Sequence, residues 1–361
     1  MRSTFIILLL VLSLFSANAQ FKQDTGKKVH VIVLPLVLRS PETLWAGGIT
    51  GSVSFKTGNK HDPQTRTSTV QALVLFTERK QNIQAIDATI FFPKDNYVFL
   101  FQASHSYFPD KYWGLGPSSK AEDREDYAFH QVYIFPHLKK KISKSIFIGA
   151  LYEYQNVFNI HYLADGLYSS TIEYGKSDYV VSGPGGSVSY DSRNSSYWPT
   201  KGMLIQGTCT AFNTHFGSTY NDFKSTMDVR YFKKLFRNTI IAAQVYSYSN
   251  NGQVPIKELA ALGGANNLRG FYQGRYRDNN MTTMVAEYRI PIYKRFSTCV
   301  FGGIGNVYRK LKDVTLRTIK HSYGAGVRIA ILPKEKLNIR IDYGYSDRYN
   351  KGFYFTVGES F

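Results

Sequence analysis

The chain has 361 residues, and 44 Lys and Arg against 26 Asp and Glu give it a formal charge of +18. Two cysteines leave no disulfide framework, and eight histidines without an HExxH or similar spacing give no metal site. The cations are spread over many turns rather than gathered in one aromatic-interleaved patch, which argues against nucleic acid and favours phosphorylated lipid headgroups.

At the N-terminus, Arg2, the apolar run Phe5 to Phe15 and the small-x-small triplet Ala17-Asn18-Ala19 read as a signal peptide, residues 1–19, cleaved before Gln20. The apolar run is shorter than the roughly 20 residues a spanning helix needs. Loss of Arg2 lowers the formal charge by one, to about +17. A short periplasmic lead, residues 20–29, then precedes a domain over 30–361 with no internal linker. The chain holds 27 Tyr and 25 Phe, all of them in that domain except Phe5, Phe15 and Phe21, yet the domain has no stretch apolar enough for a membrane helix. An exported, aromatic-rich chain of this kind suggests an all-β transmembrane barrel of the outer membrane.

In such a barrel the side chains alternate between lipid and lumen. The pattern predicts sixteen strands, near 30–38, 44–56, 66–77, 82–92, 97–107, 127–138, 145–157, 180–191, 201–213, 219–232, 237–249, 282–292, 296–307, 321–332, 337–346 and 352–361. The first is interrupted by Pro35. In the tenth, Met227, Val229 and Tyr231 alternate with Asp228 and Arg230. In the fourteenth, Ala325, Val327, Ile329 and Ile331 point outward and Gly324, Gly326 and Arg328 inward. From Leu337 to Tyr345 every odd position is apolar or aromatic and every even one is polar or Gly. The same alternation turns Cys209 to lipid and Cys299 to the lumen, so no bridge between them is expected.

Connection lengths orient the strands, because bacterial barrels have short periplasmic turns and longer outer loops. The long connections 108–126, 158–179, 250–281 and 308–320 fall at one end. The short ones, Pro93 to Asn96, Lys139 to Lys144, Lys233 to Asn238, Tyr293 to Arg295 and Pro333 to Lys336, fall at the other. Gly58 to Arg66 is long for the periplasmic side. Phe108-Pro109 through Trp113-Gly114-Leu115-Gly116 reads either as an ordered outer-loop element or as part of the interfacial aromatic girdle. Gly183-Pro184-Gly185-Gly186 and Gly302-Gly303-Ile304-Gly305 read as points of close packing or bending rather than phosphate cradles.

One outer loop carries the chain's most distinctive segment, Gly263-Gly264 followed by Leu268-Arg269-Gly270-Phe271, between the eleventh and twelfth strands. An Arg there is expected to fold back into the lumen, where a charge needs a partner, and Glu287 in the following strand points inward. At the other end of the chain, Asn350, Gly352, Phe355 and Val357 with the aromatic Phe361 match the pattern read by barrel-assembly machinery.

With these residues the chain resembles the barrel domain of the BamA/TamA-like superfamily, or bacterial surface antigen family. The Leu268 to Phe271 segment is similar to its (V/L)RG(F/Y) motif on the sixth outer loop, and Ala286-Glu287-Tyr288-Arg289-Ile290-Pro291 to the strand that follows. Asp191-Ser192-Arg193-Asn194 with Pro199-Thr200-Lys201-Gly202 is similar to its D-x-R…P-x-x-G turn, and Ser40-Pro41-Glu42-Thr43 to a recurrent opening motif. The resemblance covers most of 30–361. It implies a loop Arg paired in the lumen with acids of the next two strands. Glu287 matches the first acid, but Gly303 stands where the family often has Asp. It also implies periplasmic POTRA domains, for which residues 20–29 have no room.

The expected function is assistance to assembly or translocation of proteins or lipids at the outer membrane, without catalysis or cofactor. The expected partners are outer-membrane lipids, protein or lipid clients and periplasmic factors; oligomeric state is left open. The alternatives are a transport pore or surface-exposed binding barrel on the same fold, and an embedded hydrolase using one of His105, His130 or His161 with a Ser or Asp.

Overall fold

In the computed structural model, residues 29–58, 65–195, 198–332, 337–346 and 350–361 are described. The expected signal peptide, nearly all of the lead and the turn Pro333 to Lys336 lie outside them. Sixteen strands form a closed antiparallel barrel. They are β1 (Val29–Ser40), β2 (Leu44–Phe55), β3 (Ser68–Thr77), β4 (Asn82–Phe91), β5 (Tyr97–Tyr112), β6 (Glu125–Lys141), β7 (Ile146–His161), β8 (Tyr179–Asp191), β9 (Gly202–Phe212), β10 (Asp222–Lys234), β11 (Ile240–Gly252), β14 (Asn280–Tyr293), β15 (Phe296–Tyr308), β16 (Lys320–Leu332), β17 (Leu337–Tyr345) and β18 (Lys351–Val357). A separate ribbon, β12 (Ala260–Leu262) with β13 (Tyr276–Asp278), sits in the loop between β11 and β14, and one short helix, α1 (Leu167–Thr171), in the loop between β7 and β8.

The alternation has a simple physical basis. Side chains facing hydrocarbon lose nothing by being apolar, whereas polar groups find partners only inward. Val33, Val188, Met227 and Tyr323 are accordingly exposed on the outer wall. Asp228 and Arg230 join each other, and Gln244 of β11 donates to the same carboxylate. Cys209 is exposed and Cys299 buried, both unpaired. Gly183 and Gly185 are points of close packing, since an added Cβ would strike the backbone oxygens of Ala211 and Cys209.

Four strand predictions need correction. Strands β5, β6 and β7 run several residues further outward than the pattern indicates, because Tyr112, Tyr127 and Phe129 pack with Tyr168, Ile172, Val254 and Ile256 in an apolar cluster at the outer end. Phe108 to Pro109 therefore continues β5, and Trp113 is buried against Tyr272 at a centroid distance of 5.2 Å, as an ordered outer-loop element.

The last strand ends at Val357, not at Phe361. Gly358, at φ +87°, turns the chain while its N–H donates to the Asn338 carbonyl at 2.8 Å. Glu359 then lies 3.2 Å from Arg328, Ser360 donates to Glu287 at 2.6 Å, and Phe361 packs near Phe232. Those inward partners outweigh continuation of the ladder. Gly352, Phe355 and Val357 do lie in β18.

The closure between first and last strands differs from every other pairing. β1 and β2 are registered along their whole length, from Val29↔Phe55 to Ser40↔Leu44, whereas β1 and β18 register at Arg39↔Phe355. Arg39 bridges this seam, its guanidinium 5.3 Å from both the Trp45 and Phe353 rings. Pro35 pairs with Ile49 of β2 and lies outside the short β1–β18 register.

Candidate functional site

Midway through the barrel, the 253–279 loop meets the inward faces of β14 to β18. Its backbone can approach the wall because both sides are glycine at the contact. A Cβ on Gly344 of β17 would come within 2.9 Å of the Arg269 carbonyl carbon, and one on Gly270, at φ +109°, within 2.9 Å of the Tyr345 carbonyl carbon. The Gly270 N–H donates to the Tyr354 hydroxyl at 2.9 Å. Gly263 and Gly264 also take positive φ, which lets the loop reverse beside Phe271 and Tyr272. Leu262, Leu268 and Phe271 join Val285 and Val307 in an apolar cluster.

Arg269 is 1 % exposed. Its Nη2 donates to Glu287 of β14 and its Nη1 to Asp342 of β17 at 2.6 Å. The guanidinium lies over the Phe301 ring at 3.5 Å from its centre. Around this pair three further arginines converge. Arg289 pairs with Glu287 at 2.7 Å, Arg328 with Asp342 and with Glu359, and Arg340 approaches Asp342 at 3.6 Å. Arg340 also donates to the loop, at the Ala265 carbonyl and the Asn266 amide oxygen. Four guanidiniums thus share three carboxylates, each too buried to be paid for by water.

The acid in β15 that the resemblance implies is missing, and the structure supplies the second carboxylate from β17 instead. Gly303 has another part in the packing: a Cβ there would meet the Leu268 side chain at 3.0 Å and the Met284 carbonyl at 2.8 Å. Its bareness leaves room for the loop leucine.

Nearer the outer end a second set of charges holds the same loop. Asp110 of β5 accepts from Arg277 at 2.9 Å, Tyr127 at 2.9 Å and Tyr272 at 3.0 Å. Glu42, in the β1–β2 turn, accepts the Gln273 N–H at 2.7 Å, and burial raises its carboxyl above the usual range. On the far wall Lys224 of β10 bridges Glu153 of β7 and Glu258 of the loop. Among the described residues no group of His, Cys, Asp and Glu is placed to hold a metal ion. His105 contacts Gln84, and His130 stacks near Tyr107 and Phe158.

A closed sixteen-stranded barrel with an inward-held Arg-Gly-Phe loop is matched by the Omp85 superfamily domain over residues 92–361. The chain belongs to the Omp85 superfamily. It is a barrel of the bacterial outer membrane. Among solved structures it is similar to BamA from Haemophilus ducreyi lacking POTRA domains 1–3, with TM-score 0.59 and 13% identity over 92% of this chain and 70% of that one. CdiB from Acinetobacter baumannii gives TM-score 0.56 and 11% identity over 92% of this chain and 60% of its own. At such identities the likeness is one of fold. No curated protein sequence matches the chain.

Within this Omp85 barrel the motif residues fall into place unevenly. Arg269 and Glu287 meet directly. The Asp191 carboxylate is clasped by Arg193 through two bonds, at 2.9 and 3.1 Å, and Gly202 at φ +98° lets that turn close on Ser192. Glu42 and Asp110, which tie the loop to β1–β2 and β5, stood in the sequence only within the Ser40 to Thr43 motif and the Phe108 to Gly116 segment, with nothing there to mark them as acceptors for the loop. Arg328, Arg340 and Asp342 were legible as inward residues from the alternation, but not Asp342 as the partner of Arg269 or the two arginines as sharers of that carboxylate.

Proposed function

We propose that this Omp85 barrel assists assembly or translocation of proteins or lipids at the outer membrane, acting without catalysis by parting β1 from β18. The observation that carries the reading is the seam, registered at Arg39↔Phe355 while the neighbouring ladders run for whole strands. Opening it sacrifices little pairing and exposes two strand edges, which are ready templates for an incoming strand. The 253–279 loop would act as a lumen plug and brace, with Arg269 as its anchor, so that β14 to β17 stay rigid while β1 swings. In this reading Gly352, Phe355, Val357 and Phe361 also serve as the signal by which the barrel itself is assembled. Its partners would be protein or lipid clients and periplasmic factors.

A reversible lock tests the seam. Cysteines at Arg39 and Phe355, in a chain with Cys209 and Cys299 changed to Ser, should cross-link under oxidation and abolish activity, with recovery on reduction. The outer-membrane proteome and lipid profile after depletion identify the client class. Full activity of the cross-linked protein overturns the gate. Steady, solute-selective conductance with an unchanged membrane would instead favour a transport pore, against which the packing of Leu262, Leu268 and Phe271 inside the barrel already weighs.

A further inference from the structure

At the end of the barrel with the short turns, which connection lengths place toward the periplasm, lies a cleft of about 240 Å³. Trp198 and Thr200 of the β8–β9 turn, Lys234 and Asn238 around the β10–β11 turn, and Arg289, Pro291 and Ser297 of the β14–β15 hairpin line it. It lies on the wall away from the seam, so its use does not depend on the seam opening.

Arg289 gives the cleft its chemistry. Its side chain is 2 % exposed, and Glu287 takes its Nε and Nη2 at 2.8 and 2.7 Å. Its buried Nη1 has no hydrogen-bond partner among the described residues, although Trp198, Phe232 and Phe361 surround the guanidinium at 5.6–5.9 Å from their ring centres. One edge of the guanidinium is satisfied by Glu287, and the buried Nη1, beside the cleft that Arg289 lines, is a donor left over for an anionic oxygen that displaces its aromatic cover. Lys234, on the exposed rim, adds a second positive charge.

We propose that this cleft binds a carboxylate presented by a periplasmic polypeptide segment, the carboxylate joining Arg289 Nη1 and Lys234 while a neighbouring side chain packs on Trp198. Three observations select this occupant. The volume is below the range usual for whole small-molecule ligands, but ample for one acidic side chain. Arg289 faces inward, away from lipid headgroups on the outer wall. The aromatic and prolyl lining offers a surface for an apolar neighbour that a free inorganic anion would not use.

The test is calorimetric titration of the full chain, folded in detergent micelles, with a blocked tetrapeptide Gly-Phe-Asp-Gly and its Asn counterpart. Saturable binding of the Asp peptide is expected, at least about tenfold weaker for the Asn peptide and for the Asp peptide with Lys234→Gln, since each loses a charged hydrogen bond. Lys234 is the exposed last residue of β10, outside the Arg269 cluster, and an unchanged heat-dependent gel shift would certify that its variant is folded. Absence of binding, equal affinity for both peptides, or inorganic phosphate binding as tightly as the Asp peptide would overturn the proposal; the last outcome would leave a simple anion site.

Discussion

Asp342 of β17 accepts a hydrogen bond from Arg269 Nη1 at 2.6 Å and another from Arg328, so one carboxylate joins the loop to two strands of the wall. Because four arginines share three acids here, the two partners of that bond are not equivalent. Arg269→Ala leaves three cations facing three anions. Asp342→Ala leaves four facing two. Stripping one partner from a buried pair costs about 3–5 kcal/mol. Asp342→Ala should therefore destabilise the barrel more than Arg269→Ala, and the double variant should recover part of the loss. The temperature of the heat-dependent gel shift measures all three; equal effects, or strictly additive ones, would refute the shared-charge account.

Gly303 can be tested in the direction of the family. Gly303→Asp restores the usual acid but places its Cβ 3.0 Å from Leu268 and 2.8 Å from a backbone oxygen. Overpacking of this sort costs about 1–3 kcal/mol. The variant should lower the unfolding temperature, and Leu268→Ala added to it should recover part of the loss, if the leucine has taken the acid's space.

The outer tether makes a separate prediction. Asp110→Ala removes the acceptor shared by Arg277, Tyr127 and Tyr272. Amides in the 262–278 segment should exchange with deuterium at least about tenfold faster, while β14 to β17 stay protected, because the mid-barrel anchor at Arg269 is untouched. Uniform loss of protection would mean that the two anchors are a single unit.

Lys257 gives the loop a pH dependence. Its ammonium lies 4.5 Å from the Phe129 ring centre, and burial lowers its pKa to about 8, a fall that Asp110 only partly opposes. Between about pH 8 and the ordinary ammonium value, the released loop holds the proton more tightly than the docked loop. Docking should therefore strengthen as pH rises through that window. Deuterium exchange of loop amides, corrected for intrinsic rates, should show it, and Lys257→Met should abolish it.

What could be read from the sequence was the part that each strand decides alone. Alternation placed all sixteen strands and turned Glu287, Arg328, Arg340 and Asp342 inward, because hydrocarbon and lumen impose opposite preferences on adjacent side chains. The loop motif marked Arg269 as a residue in need of a partner. Which acid would serve was a different kind of question. Asp342 is 73 residues away from Arg269 and meets it only because β17 lies beside β16 in the closed wall and Gly344 admits the loop backbone. The inward turn of Glu359, Ser360 and Phe361 likewise depends on Arg328 and Glu287 in other strands. Side-chain direction follows from a two-residue period and is local; charge compensation follows from distances between strands, and only the closed barrel sets those.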